Sequence, residues 1–166
     1  MKLRTERDED RSQIATLIAR TYLENGAKLI EMTGLLRDLP AYKAAHGVIA
    51  EVDDTLCAYA LFTPLAVGGS KGAVLLAPLA MDPERPDVDY NGFMHKAIDE
   101  MKTLGFKAVL MHGVAQMYED DGFKPASTFG IKGSISYPGA DLLLKPLADS
   151  MPLTGDVTYP EFLSKF

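Results

Sequence analysis

The chain has 166 residues, with 17 Lys+Arg against 23 Asp+Glu (net charge −6), one cysteine and no tryptophan. That length suits a single domain, residues 1–166, with a real hydrophobic core, and 47% hydrophobic with 24% charged residues is an ordinary globular composition. The acidic balance argues against nucleic-acid binding, and a lone cysteine makes no internal disulfide.

Residues 1–8 are charged where a signal peptide needs an apolar run, and the longest mostly apolar stretch, 73–81, is too short to cross a bilayer. A cytoplasmic protein with no membrane partner is the expectation. In chain order, residues 1–6 alternate and predict a first strand. Ile14, Leu17, Ile18 and Tyr22 fall at helical spacing, with Gly26 as the expected stop. Leu29, Ile30, Leu36 and Leu39 mark a second helix ended by Pro40. Strands follow at 46–52 and 56–63, joined through Asp53-Asp54-Thr55.

Gly68-Gly69-Ser70-Lys71-Gly72 superficially resembles a phosphate-binding loop. It lacks the Gly-Lys-Ser/Thr ending and joins strand to strand, so a hairpin before the apolar strand 73–81 is the expectation. Met94, Ala97, Ile98, Met101 and Leu104 then form a helical stripe, with Gly105 in C-terminal cap position and His95 and Lys96 on its exposed side. A short buried strand at 107–111 completes a βαβ unit, which adds parallel pairing to an antiparallel meander. A short helix spans 115–121, and 127–131, 134–137 and 142–147 alternate like strands. The expected fold class is α/β (α+β), a mixed, mostly antiparallel sheet with helices on both faces.

The chemical inventory is sparse. His46, His95, His112 and Cys57 are not spaced like metal ligands, so no metal is expected. Cys57 lies in an apolar strand and reads as a small buried hydrophobe. Neither a Gly-x-Ser-x-Gly elbow nor a Gly-x-Gly-x-x-Gly helix start is present.

One constellation is more specific: His112-Gly113-Val114-Ala115-Gln116-Met117-Tyr118-Glu119-Asp120-Asp121-Gly122-Phe123. Here the chain resembles the GNAT N-acetyltransferase superfamily, whose late segment reads Asn-x-x-Ala-x-x-Leu-Tyr-x-x-x-Gly-Phe. Ala115, Tyr118, Gly122 and Phe123 match, Met117 replaces the Leu, and His112 stands at the Asn position. The tail Gly155-Asp156-Val157-Thr158-Tyr159-Pro160-Glu161-Phe162 is similar to the Gly-x-Val-x-Tyr-Pro-x-Phe ending of a bacterial subfamily of predicted acetyltransferases.

The resemblance implies a GNAT-like sheet and acetyl-CoA as co-substrate. Its pantetheine arm would lie on the backbone of Leu79, Ala80 and Met81, with Arg85, Tyr90, Asn91 and Gly92 near its phosphates. It also implies direct transfer of the acetyl group to a primary amine, small-molecule or peptide, with Tyr118 as the general acid that protonates the leaving thiolate. For the general base, His112 and Glu51 are the candidates, His112 because imidazole titrates in the useful range. Glu119-Asp120-Asp121 reads as a solvated charge run. The resemblance leaves room for a homodimer.

One segment departs from the family. The pyrophosphate loop, Gln/Arg-x-x-Gly-x-Gly/Ala, falls on Pro86, Asp89 and Asn91, none of which matches. Pro86 has no N–H to offer, and Asp82, Glu84, Asp87 and Asp89 against Arg85 leave a local net charge of −3. Asp89 is placed to cap the following helix with its own carboxylate, where a phosphate should sit. This supports an alternative expectation: a catalytically degenerate GNAT-fold protein that no longer binds acetyl-CoA and serves as a ligand-binding or protein-interaction module.

Overall fold

A computed structural model describes all of residues 1–166. Its strands are β1 (Lys2–Thr5), β2 (Gly47–Val52), β3 (Thr55–Val67), β4 (Ser70–Met81), β5 (Ala108–Gly113), β6 (Lys124–Pro125), β7 (Ile131–Lys132), β8 (Asp141–Pro146) and β9 (Gly155–Thr158). The helices are α1 (Arg11–Tyr22), α2 (Gly26–Arg37), α3 (Tyr90–Thr103) and the single turn α4 (Ala115–Tyr118). The sheet order is β1-β2-β3-β4-β5-β8-β6, with β9 also on β3 and β7 on β9. Pairing is antiparallel for β1–β2, β2–β3, β3–β9, β5–β8 and β6–β8, and parallel for β4–β5 and β7–β9. The mixed, mostly antiparallel sheet therefore stands as expected. No helix is long and apolar enough to cross a membrane.

The backbone clusters into two compact units interleaved in sequence. One comprises Met1–Thr63, Ala77–Asp99 and Phe166; the other comprises Pro64–Leu76 and Glu100–Lys165.

In the first unit, Ile14, Leu17 and Ile18 of α1 and Met32 and Leu36 of α2 are buried, as their spacing demands. Gly26 does not stop α1. It is the first residue of α2, after a 3-10 turn at Leu23–Asn25. A Cβ there would lie 3.0 Å from the Ala19 Cα, so the glycine serves close helix packing rather than termination. The β2–β3 hairpin turns on Asp53 and Asp54, both at positive φ (52° and 60°), the two-residue geometry that matches strand twist. At the opposite end of β2, beside Gly47, Glu6 is buried and accepts hydrogen bonds from Arg37, Tyr42 and Tyr59.

In the second unit, Gly68 and Gly69 turn β3 into β4 at φ 57° and 80°, which is the hairpin and not a phosphate cradle. β4 and β5 pair only over Ala73–Leu75 and Ala108–Leu110. Gly105 follows α3 at φ 95°, the left-handed position a helix end needs.

Two expected strands are absent. Residues 127–131 are mostly a 3-10 turn, Ala126–Phe129, before the two-residue β7, and 134–137 contributes only the isolated bridge of Tyr137 with Ala140. Only Ile131 and Lys132 join a ladder, with β9; the rest of the stretch is shaped by close approaches, since Gly130 adopts φ 70° and a Cβ on Gly133 would meet the Tyr159 hydroxyl at 2.4 Å. The tail, read only as a motif, contains the strand β9.

Candidate functional site

The end of β4 and the loop after it form the first group of predicted residues. Their geometry is set by three consecutive residues of α1 that sequence reasoning missed. The Arg20 guanidinium pairs with Asp82 (3.1 Å) and with Glu84. The Thr21 hydroxyl lies 3.0 Å from the Met81 carbonyl and 2.8 Å from the Leu17 carbonyl, and the Tyr22 hydroxyl donates to the Leu79 carbonyl. Ala80 between them is fully buried, and the Asp82 amide donates to the Cys57 carbonyl of β3 at 2.9 Å. A carbonyl has a second lone pair, so Leu79 and Met81 keep acceptor capacity for an amide-bearing ligand.

The loop itself is internally matched. Arg85 makes a two-point contact with Asp87, both bonds at 3.0 Å, which holds the exposed Asp87 carboxyl below its usual range. The Tyr90 hydroxyl donates to the Asp82 carbonyl at 2.8 Å, and burial pushes its phenol up to about 12. Asp89 caps α3 as expected: the Gly92 amide donates to its carboxylate at 2.9 Å, and a Cβ on Gly92 would meet that carboxylate at 2.3 Å. The absence of a Cβ at Gly92 leaves room for the Asp89 carboxylate in this position. Each of the four acids, Asp82, Glu84, Asp87 and Asp89, has a partner within the protein, and Arg85 is committed to one of them. Asn91 is the second residue of α3 and is exposed.

The second group surrounds the end of β5. Its pairing with β8 runs to Gly113, setting His112 opposite Leu142. The chain then turns into α4, and a Cβ on Gly113 would meet the Tyr118 ring at 2.9 Å, so bare backbone lets that ring lie across the strand end. Tyr118 also packs edge-on to the buried Phe123 at 6.1 Å, and Gly122, at φ 90°, allows the close return between them. His112 is surrounded by rings: Tyr137 edge-on at 5.0 Å and Tyr159 stacked at 6.2 Å, with the Tyr159 hydroxyl 3.4 Å from Nε2. Burial lowers the His112 pKa, opposed by a hydrogen bond to the backbone of Ile135. Burial raises the Tyr159 phenol to about 12. Neither tyrosine partner was legible beforehand; Tyr159 was visible only as a letter of the tail motif.

Other predicted residues fall elsewhere. Glu51 is bound by Arg4 at 2.8 Å, inside a network that also ties Arg4 to Asp10. Cys57 is fully buried, its thiol donating to the Ala50 carbonyl at 3.4 Å and pushed up by burial. His46 precedes β2 and accepts the Lys43 amide, His95 lies within α3, and no cluster of three or more His, Cys, Asp or Glu residues is arranged to hold a metal ion.

No protein-family model and no curated protein matches the chain. Solved structures do. A GNAT family N-acetyltransferase (YhbS) from Escherichia coli, in complex with CoA, superposes with a TM-score of 0.82 over 99% of this chain and 92% of its own, at 26% identity. The chain has the GNAT fold. A GNAT family acetyltransferase from Brucella melitensis, in complex with acetyl-CoA, gives 0.77 over 98% and 97% at 21% identity. An aminoglycoside 6'-acetyltransferase type Ii gives 0.64 over 90% and 99% at 15% identity.

Proposed function

We infer that the protein is an N-acetyltransferase that moves an acetyl group from acetyl-CoA to a primary amine. One observation carries the reading: the whole-chain likeness to YhbS, whose structure contains CoA. The amide-bearing arm of acetyl-CoA suits the backbone of Leu79, Ala80 and Met81, where main-chain groups bind amides without special side chains. Arg85, Tyr90, Asn91 and Gly92 are the residues nearest in sequence to the expected phosphates. Tyr118 is assigned as general acid, because a phenol is neutral near pH 7 and still donates a proton to a thiolate. His112 is assigned the opposite role, taking the proton the amine must lose.

Calorimetry with acetyl-CoA, together with thiol release in the presence of amines, tests this. Tyr118→Phe should lower kcat by about 100-fold while acetyl-CoA affinity stays within about twofold. No heat at high-micromolar acetyl-CoA would sink the reading.

A second reading is favoured by the loop. Asp89 already occupies the Gly92 amide, and Asp87 already holds Arg85. On that reading the protein is a GNAT-fold binding or interaction module without acetyl-CoA. The same calorimetry separates the two.

A further inference from the structure

The tail that carries Tyr159 is fixed in place by glycines. The Gly68 amide donates to the Asp156 carbonyl at 2.8 Å, β9 pairs Val157 and Thr158 with Val67 and Ala66 of β3, and the Gly155 amide donates to the Gly130 carbonyl at 3.0 Å. A Cβ on Gly68 would strike the Thr154 carbonyl at 2.0 Å, and one on Gly155 would lie 3.0 Å from the Gly68 Cα. Two glycines facing one another thus let the tail close onto β3. The residue after β9 is Tyr159, and its hydroxyl arrives where Gly133 has no side chain to block it.

That hydroxyl faces Nε2 of His112 at 3.4 Å, with the two rings stacked at an interplanar angle of 26°. The imidazole also bonds the Ile135 backbone. That contact acts to raise the His112 pKa, as an accepting backbone group does; it therefore takes a ring N–H, and in the tautomer protonated on Nδ1 the Nε2 lone pair faces Tyr159. The 3.4 Å separation is long for a hydrogen bond, as catalytic pairs often are before substrate binds. Around the pair stand Tyr137 from the 133–140 segment, Leu142 of β8 opposite His112, the exposed Asp141 opposite Gly113, and Tyr118 across Gly113. With the Tyr159 hydroxyl on Nε2, an amine reaches this nitrogen only by displacing Tyr159.

We propose that Tyr159 is a catalytic residue of the acetyl transfer, relaying the proton of the incoming ammonium to His112. This rests on the acetyltransferase reading above. The proton leaves the ammonium for the Tyr159 oxygen as the phenolic proton moves to Nε2 of His112, and then passes to solvent. The amine forms its N–C bond to the acetyl carbon and the C–S bond breaks. The sulfur takes a proton from Tyr118, which is restored by the second proton the nitrogen sheds. The tail motif thereby gains a purpose, since it delivers the relay.

The test compares the wild type with Tyr159→Phe. Long-range proton–nitrogen NMR of the His112 ring, which needs no substrate, should show an unprotonated Nε2 near pH 7.5 whose resonance moves on loss of the hydroxyl. Thiol release from acetyl-CoA with spermidine, kanamycin and glycine amide should fall by about 100-fold in kcat/KM at pH 7. The acid limb of its pH profile should shift from the titration of His112 to that of the amine itself. A protonated Nε2 in the wild type, or an acid limb unchanged by the variant, overturns the relay while leaving acetyl transfer intact. Absence of acetyl-CoA turnover by the wild type with every amine overturns both.

Discussion

Asp89 gives the sharpest test of whether this loop resists a phosphate-bearing ligand. Its carboxylate receives the Gly92 amide at 2.9 Å at the start of α3. Replacing it by Asn retains the acceptor, because Asn caps a helix as well as Asp, and removes only the charge. The stability change should stay below about 1 kcal/mol, the usual worth of an acid against a helix dipole. A carboxylate ~6 Å from a phosphate charge costs roughly 0.7 kcal/mol in water and nearer 3 kcal/mol at an effective dielectric of ~20. Asp89 is exposed, which places the expected value near the lower end, about 1 kcal/mol, or roughly fivefold tighter CoA binding. Asp89→Gly also uncovers the Gly92 amide and should gain at least as much. The assay is CoA calorimetry at low salt and at about 0.5 M salt, where screening should shrink the difference. Affinity that is unchanged or weaker at low salt would refute the repulsion argument.

Two further outcomes follow from the buried charges. Glu6→Gln leaves the Arg37 cation buried without its counter-charge, and should cost about 3–5 kcal/mol in urea denaturation; a loss under about 1 kcal/mol would show the pair to be dispensable. Burial lowers the pKa of both His46 and His112 from 6.5, and His46 Nδ1 accepts the Lys43 amide at 3.3 Å, which demands the neutral ring. Below 6.5 the unfolded chain takes up protons that the folded chain refuses. Stability is therefore complete above that pH and declines as pH falls from 6.5 toward the folded values. Thermal melts between about pH 8 and 5 should show this decline, and His46→Gln should reduce it; an unaltered slope would exclude His46 as a contributor.

Local patterns were readable, and long-range meetings were not. The α3 stripe was legible because Met94, Ala97, Ile98 and Met101 repeat at helical spacing and all four are buried; Leu104, its expected fifth member, lies past the end of α3 at Thr103 and is exposed. The capping role of Asp89 was legible for a similar reason: its partner, Gly92, lies three residues on. The alternation at 127–137 misled because glycines there serve close approaches, a purpose that a period of two imitates. His112 and Tyr159 are 47 residues apart, and Arg20 and Asp82 are 62 apart. Nothing in either neighbourhood specifies the other, so the site's residues were named without their partners.

Arg20, Thr21 and Tyr22 also bear on how this region moves. The last turn of α1 is fastened at three successive residues to the stretch running from Leu79 to Glu84. Fraying of that helix end would release two strand carbonyls and two acids in one event. Amides at the end of α1, along residues 79–82 and in the loop should thus exchange with solvent as a single cooperative unit, with a shared opening free energy rather than three separate ones.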